Sequence, residues 1–141
     1  ATSNICTNQA LMALRACSYL STMGKRGLRD VAEQCYHKAH YAAERIAALP
    51  GYQVLGKRPF FKEFVVRCPA PVASLKQHLL LGWGIIPGYD LTADYPELGE
   101  CLLVCVTEMN TRQEIDDLVE ALGEAADSAD AWDMDLELEV A

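Results

Sequence analysis

Four hydroxyl and amide side chains stand at the start of the chain: Thr2, Ser3, Asn4 and Thr7. A helix is predicted to follow them, and the free backbone N–H groups at a helix N-terminus attract anions such as phosphate or carboxylate. The same side chain types also commonly cap a helix by accepting a hydrogen bond from its first turn. Two interpretations of the segment follow. It caps the helix and does nothing else, or it caps the helix and also contacts an anionic group.

The histidine pair His37 and His40, with Glu33 and Glu44 nearby, is the only group that suggests a metal. Residues three apart share a helix face, but a zinc site needs three or four ligands and the sequence specifies no others. We interpret the pair as surface or interface histidines and predict no metal site.

Two arginines, Arg67 and Arg112, have the planar guanidinium groups that bind carboxylates well. Neither lies in a recognisable motif, so the default interpretation is a solvated charge. The polar loop that contains Asp94, Tyr95 and Glu97 is interpreted as a turn.

The cysteine contexts favour buried, reduced thiols over disulfides. Cys17 and Cys35 lie in helical patterns, while Cys101 and Cys105 lie in an apolar run and would point to the same side of a strand. No helix terminus is predicted beside this last pair to activate it, so a redox pair is not expected. Thiols of this kind predict a cytoplasmic protein.

Two helices are predicted first, one over residues 7–23 that ends at Gly24 and one over residues 27–49 that ends before Pro50. Short strands and turns follow. The further predicted elements are strands at 52–55, 60–67, 83–86 and 101–107, a helix at 72–81, and a helix opened by the T-x-x-E capping box of Thr111 and Glu114. From the second helix onward the order α-β-β-α-β-β-α predicts an α+β fold, with an open, mostly antiparallel sheet and helices on one face.

Composition fits one ordinary domain, because 141 residues of which 51% are hydrophobic suffice for a core. The net charge of −8 arises from the last 18 residues, and without their seven acidic side chains 13 acidic residues face 12 basic ones. We therefore expect neither nucleic acid nor a membrane surface as a partner. No signal peptide or transmembrane run is present. The chain begins with Ala1, which predicts a piece of a longer subunit.

Several long segments resemble one enzyme family. These are ATSNICTNQAL from Ala1, PFFKEFVVRCP from Pro59, WGIIPGYDL from Trp83 and DYPELGECLLVCVTEMNTRQEID from Asp94. They are similar to the first subunit of two-subunit bacterial glycine dehydrogenase (decarboxylating), the P-protein of the glycine cleavage system. The resemblance ends near Gly123, and Pro87 departs from it because glycine is expected there.

The resemblance implies the small C-terminal domain of an aspartate-aminotransferase-like (fold type I) pyridoxal-phosphate enzyme, preceded by a long connecting helix. It also implies an oxidoreductase that decarboxylates glycine on pyridoxal phosphate and passes the aminomethyl group to the lipoyl arm of the H-protein. In two-subunit members the Schiff-base lysine belongs to the partner, glycine dehydrogenase subunit 2. None of the five lysines here has that sequence context, so we expect this chain by itself to bind no cofactor and to be inactive.

By the same resemblance, Thr2, Ser3, Asn4 and Thr7 would lie at a subunit interface close to the partner's cofactor pocket, which keeps both interpretations of this segment open. The predicted organisation is a connecting loop and helix at 1–24, a small α+β domain at 25–123 and an acidic tail at 124–141. Apolar surface left without its usual cover would favour a homo-oligomer. The alternative interpretation is a stand-alone, ferredoxin-like, amino-acid-sensing regulatory module.

Overall fold

The computed structural model describes residues 7–56 and 58–127. These residues divide into two units, of which the first ends at Gln34 and the second begins at Cys35. The elements in chain order are α1 (Thr7–Ala47), β1 (Gln53–Leu55), β2 (Glu63–Arg67), α2 (Val72–His78), a π-helical turn (Leu79–Trp83), β3 (Tyr89–Asp90), a 3₁₀ turn (Pro96–Leu98), β4 (Cys101–Cys105) and α3 (Arg112–Asp127).

A break at Gly24 separates two helical segments within α1, because this residue has φ 60° and ψ −176°. Glycine adopts such a positive φ without the steric cost that a Cβ would add, which is why the prediction that Gly24 ends the first helix is confirmed. The segment before the break exposes large apolar side chains, including Leu14, which is 63% exposed.

The four strands form one antiparallel sheet in the order β1-β2-β4-β3. This confirms the predicted open antiparallel sheet and the α-β-β-α-β-β-α order of elements. It also confirms that the apolar run from Cys101 is an inner strand. Just before β3, the backbone at Gly88 lies so close to β4 that a Cβ there would collide with the carbonyl oxygen of Leu103.

One predicted strand, at residues 83–86, is wrong. The helical path of α2 continues through the π-helical turn, and Gly84 ends it in the left-handed conformation with φ 67° and ψ 22°. Its N–H donates to the Leu80 carbonyl at 3.1 Å, and the Ile85 N–H donates to the Leu79 carbonyl at 3.0 Å. These bonds satisfy helix-end carbonyls, so the apolar run from Trp83 ends a helix and the third strand begins only at Tyr89.

The core lies on one face of the sheet. Phe64 and Val66 on β2 pair with Val104 and Leu102 on β4, and all four side chains are buried. The helices cover this face with buried residues that include Ala39, Ala42, Ile46, Leu75, Leu79, Ile115, Leu118 and Leu122. The predicted arrangement with helices on one face is therefore confirmed.

The predicted capping box opens α3. The Thr111 N–H donates to Glu114 Oε2 at 2.6 Å, and the Glu114 N–H donates to Thr111 Oγ1 at 3.2 Å. At its other end α3 is held beside β1, where the buried Tyr52 hydroxyl donates to the Leu122 carbonyl at 2.8 Å.

Truncation of the inner strand tests the one-sided core. Leu102 is 1% exposed, so Leu102→Ala is expected to lower the free energy of unfolding by about 3 kcal/mol, through lost burial and the cavity that remains. Urea denaturation measures the change. Leu103→Ala is the matched control, since this half-buried neighbour points to the other face and should cost about 1 kcal/mol. Equal costs would contradict the arrangement.

The capping box makes a second prediction. Its hydrogen bonds from the Thr111 N–H and hydroxyl lower the pKa of Glu114 below its ordinary value of 4.5. A carboxylate with a lowered folded-state pKa stabilises the fold above its ordinary pKa, and this contribution is lost as the pH falls through the folded-state value. Glu114→Gln should therefore weaken the dependence of unfolding free energy on pH below about 5. Glu120→Gln, exposed on the same helix, is the matched control for the loss of one carboxylate.

Candidate functional site

The predicted anion-binding segment falls mainly outside the described residues. This applies to Thr2, Ser3 and Asn4, while Thr7 is the first residue of α1 and its side chain is likewise not described. Whether these residues only cap the helix or also contact an anion stays a prediction.

A polar cluster joins the second unit's part of α1 to the loop between β4 and α3. The Lys38 ammonium donates to the carbonyl oxygens of Glu108 and Asn110, each at 2.6 Å. One helical turn earlier, the buried Cys35 thiol donates to Glu108 Oε2 at 3.2 Å. We call these four residues the junction cluster. The partners of Lys38 lie 70 and 72 residues away in the sequence, so the sequence did not reveal these contacts.

The electrostatics of the junction cluster keep its thiol protonated. Burial, followed by the hydrogen bond to Glu108, raises the pKa of Cys35. The same hydrogen bond, together with the residue's own N–H and the ammonium groups of Lys62 and Lys38, lowers the pKa of Glu108. A protonated thiol beside a carboxylate is a poor nucleophile, and the hydrogen bonds of the cluster connect α1 to the loop.

Arg112 belongs to a second polar group, which lies between α1 and α3. The Tyr41 hydroxyl donates to Asp116 Oδ1 at 2.5 Å, and the guanidinium groups of Arg45 and Arg112 lie 3.7 Å from the two oxygens of this carboxylate. Arg112 also lies 5.1 Å from the centre of the Tyr41 ring. The Arg112 side chain is 80% exposed, which agrees with its interpretation as a solvated charge, and Asp116 balances part of that charge.

The other residues singled out from the sequence hold local contacts. Arg67 is exposed and donates to Gln53 Oε1 at 3.3 Å across the β1–β2 pair. Asp94 accepts a hydrogen bond from the Tyr89 hydroxyl at 2.7 Å, which agrees with its interpretation as part of a turn. Tyr95 and Glu97 are both exposed.

The two histidines take part in an aromatic stack. The His40 ring lies 4.2 Å from Phe60 and 4.0 Å from Tyr36, measured between ring centres. Its Nδ1 donates to the Tyr36 carbonyl oxygen at 2.8 Å, since a carbonyl can only accept. His37 contacts the edge of Tyr36. Within residues 7–56 and 58–127, no three His, Cys, Asp or Glu side chains are grouped so that they could hold a metal ion.

The cysteine prediction is correct in part. Cys35, Cys68 and Cys101 are buried free thiols, whereas Cys17 and Cys105 are exposed. Cys105 ends β4 opposite Glu63 and lies on the sheet face opposite the helices, where it is exposed, although it shares this face with the buried Cys101. Alternation along a strand identifies the face on which a side chain lies. It does not reveal whether another part of the chain packs on that face at a given residue.

Two surface grooves lie on the second unit. The first groove, about 360 Å³, runs between residues 83–87, the end of β4 and the first turns of α3. Its polar side chains each accept a hydrogen bond from a neighbour: Asn110 from Thr107, Glu114 from Thr111 and Asp117 from Gln113. These groups serve local turns and do not form an acid–base pair aimed at a ligand.

The second groove, about 410 Å³, is formed by residues of α2 and the turn after it. Its lining is mainly aliphatic and consists of Lys76, Gln77, Leu80, Leu81, Ile85, Ile86 and Pro87. Leu81 and Ile86 are 76% and 77% exposed, which is unusual for adjacent large aliphatic side chains. The sequence had suggested a strand here and therefore did not reveal this surface. No described helix has the length and apolar content that crossing a membrane requires.

Comparison with known proteins gives one consistent result. The family model for the glycine cleavage system P-protein matches residues 1–122. The probable glycine dehydrogenase (decarboxylating) subunit 1 of Thermomicrobium roseum is 59% identical over 89% of this chain, and that of Chlorobium limicola is 57% identical over 86%. The chain spans only 28% and 27% of these two relatives.

Solved structures agree with the sequence comparison. A crystal structure of glycine decarboxylase (P-protein) in inhibitor-bound form is similar with a TM-score of 0.75 and 30% identity, over 89% of this chain and 28% of that one. A sphingosine-1-phosphate lyase from Burkholderia pseudomallei is similar in fold alone, with a TM-score of 0.64 and 21% identity over 87% of this chain and 27% of that one.

Thiol labelling tests the description of the cysteines. Burial raises the pKa of Cys68 to about 12, so almost none of it is thiolate near neutral pH. Iodoacetamide at about pH 8 should alkylate the exposed Cys17 and leave Cys68 unmodified, as measured by mass spectrometry of peptides. Labelling in urea is the control, in which both should react. Equal rates without urea would contradict the buried position.

Proposed function

We propose a function from one premise: the chain belongs to the glycine cleavage system P-protein family. The chain would be the C-terminal part of subunit 1 of a glycine dehydrogenase (decarboxylating), an oxidoreductase. The observation that carries this proposal is 59% identity over 125 residues to a probable subunit 1. The similarity of the fold to a P-protein supports it independently.

The cofactor proposed for the complete enzyme is pyridoxal phosphate, which serves as the electron sink when glycine loses CO2. None of the five lysines has the sequence context that the resemblance gives for the Schiff-base lysine. Of the described lysines, Lys38 is committed to two backbone carbonyls and Lys25 lies exposed on the first unit. We therefore propose that the lysine belongs to subunit 2 and that this chain binds no cofactor covalently.

The proposed role of the chain is structural. Its sheet and helices would form the small domain at residues 25–123, and the helix before Gly24 would connect this domain to the rest of the subunit through its exposed apolar side chains. The proposed partners are subunit 2, whose existence the name "subunit 1" of the relatives implies, and the lipoyl H-protein, which receives the aminomethyl group. We place the assembly in the cytoplasm, which agrees with the free thiols among the described cysteines.

No observation favours the alternative of a stand-alone, ferredoxin-like sensor. A ferredoxin-like unit has the order β-α-β-β-α-β, whereas this chain repeats β-β-α. The relatives are enzyme subunits by name and contain the matched segment as about a quarter of their length.

A segment exchange tests the proposed function. In the Thermomicrobium roseum subunit 1, the matching segment is replaced by residues 1–125 of this chain, and exchange of labelled CO2 into glycine is measured with subunit 2 and H-protein present. We expect activity within about tenfold of the unaltered enzyme, because the two segments are 59% identical and should form the same interfaces.

Two controls complete this experiment. Subunit 1 without the segment should be inactive, and so should the 141-residue chain by itself, which should also lack the absorption of a pyridoxal imine. A folded exchange variant without activity would contradict the assignment. A yellow, borohydride-reducible 141-residue chain would contradict the proposal that the lysine lies on the other subunit.

A further inference from the structure

The second groove exposes three large aliphatic side chains to solvent. Leu80, Leu81 and Ile86 are 52%, 76% and 77% exposed and line the same depression. Lys76 supplies the positive charge among the groove's lining residues. Such a surface suits a segment that is apolar on one side and acidic on the other.

The end of this chain has that pattern. From Trp132 to Val140 every second residue is apolar and every residue between is acidic: Trp132, Met134, Leu136, Leu138 and Val140 alternate with Asp133, Asp135, Glu137 and Glu139. In an extended chain successive side chains point to opposite sides, so this pattern would place all five apolar groups on one side and all four carboxylates on the other. These residues lie beyond the described part of the chain, and beyond the part that the family model matches.

The last turns of α3 contact the turn that carries two of the groove's leucines. Glu124 is one helical turn before the end of α3 at Asp127, and it accepts a hydrogen bond at 3.0 Å from Nε1 of Trp83. Trp83 ends the π-helical turn that carries Leu80 and Leu81. Four residues, 128–131, separate α3 from Trp132, and at about 3.3 Å per residue they can span about 13 Å.

We propose that residues 132–140 bind in the second groove of the same chain. The apolar side of the segment contacts Leu80, Leu81 and Ile86, and its acidic side faces Lys76 and the solvent. This inference concerns a sequence that lies outside the family match, and it does not depend on the proposed function.

The chain contains only two tryptophans, which makes the proposal measurable in the intact protein. With 5-fluorotryptophan in the 141-residue chain, fluorine NMR should show two resonances, and Trp132→Phe identifies the one from Trp132. The change in the resonance frequency of Trp132 between H2O and D2O is its solvent isotope shift. If Trp132 is bound, this shift should be less than about half the value in the urea-unfolded chain, because water is excluded from a covered ring.

The groove variant is Ile86→Asp, and the matched control is Met109→Asp, which alters an equally exposed side chain outside the groove. Ile86→Asp should restore the full solvent isotope shift of Trp132, and Lys76→Glu should raise it in part through charge repulsion. Met109→Asp should leave it unchanged. Circular dichroism confirms that each variant is folded.

Three outcomes would overturn the proposal. Trp132 could show the full solvent shift in the unaltered chain, which would leave the groove to another occupant such as the rest of subunit 1. The solvent isotope shift of Trp132 could remain small in Ile86→Asp, which would place the segment elsewhere. A solvent isotope shift of Trp132 that rises to the full value when the protein is diluted would assign the segment to the groove of a second copy.

Discussion

The burial of a single sheet face is the constraint on which the second unit depends. Phe64 and Val66 on one inner strand pair with Val104 and Leu102 on the other, so one cross-strand apolar patch occupies the centre of the sheet. Three helices must cover this patch, because an open antiparallel sheet keeps only one face dry. Their positions then determine where the loops between strands and helices meet, and hence which polar groups become neighbours.

The polar contacts around this core connect elements distant in sequence. Lys38 on α1 donates to the carbonyls of Glu108 and Asn110, and Tyr41 donates to Asp116 on α3. A charged group with two carbonyl partners stabilises a loop, and its removal would leave those partners unsatisfied. Charged side chains in these two groups therefore brace the fold, which agrees with the structural role proposed for this chain.

The exposed apolar surface of the described residues includes two places of different character. The first unit presents exposed leucines along a helix and belongs to the segment that the family model matches. The second groove is formed by α2 and the turn after it, and the alternating acidic and apolar sequence lies beyond the part that the family model matches. The first surface suits cover by another polypeptide segment, whereas the second is the surface proposed to bind residues 132–140.

The sequence by itself determined the features with local causes: the helix break at Gly24, the capping box of Thr111 and Glu114, the inner strand from Cys101, the order of elements and the family. It did not determine that residues 83–86 end a helix, because an apolar run packs equally well from a strand or a turn. The role of Lys38 depends on neighbours about 70 residues away, and the exposure of Cys105 depends on which face of the sheet the helices cover. Such contacts exist only once the core has formed, so only the tertiary structure decided them.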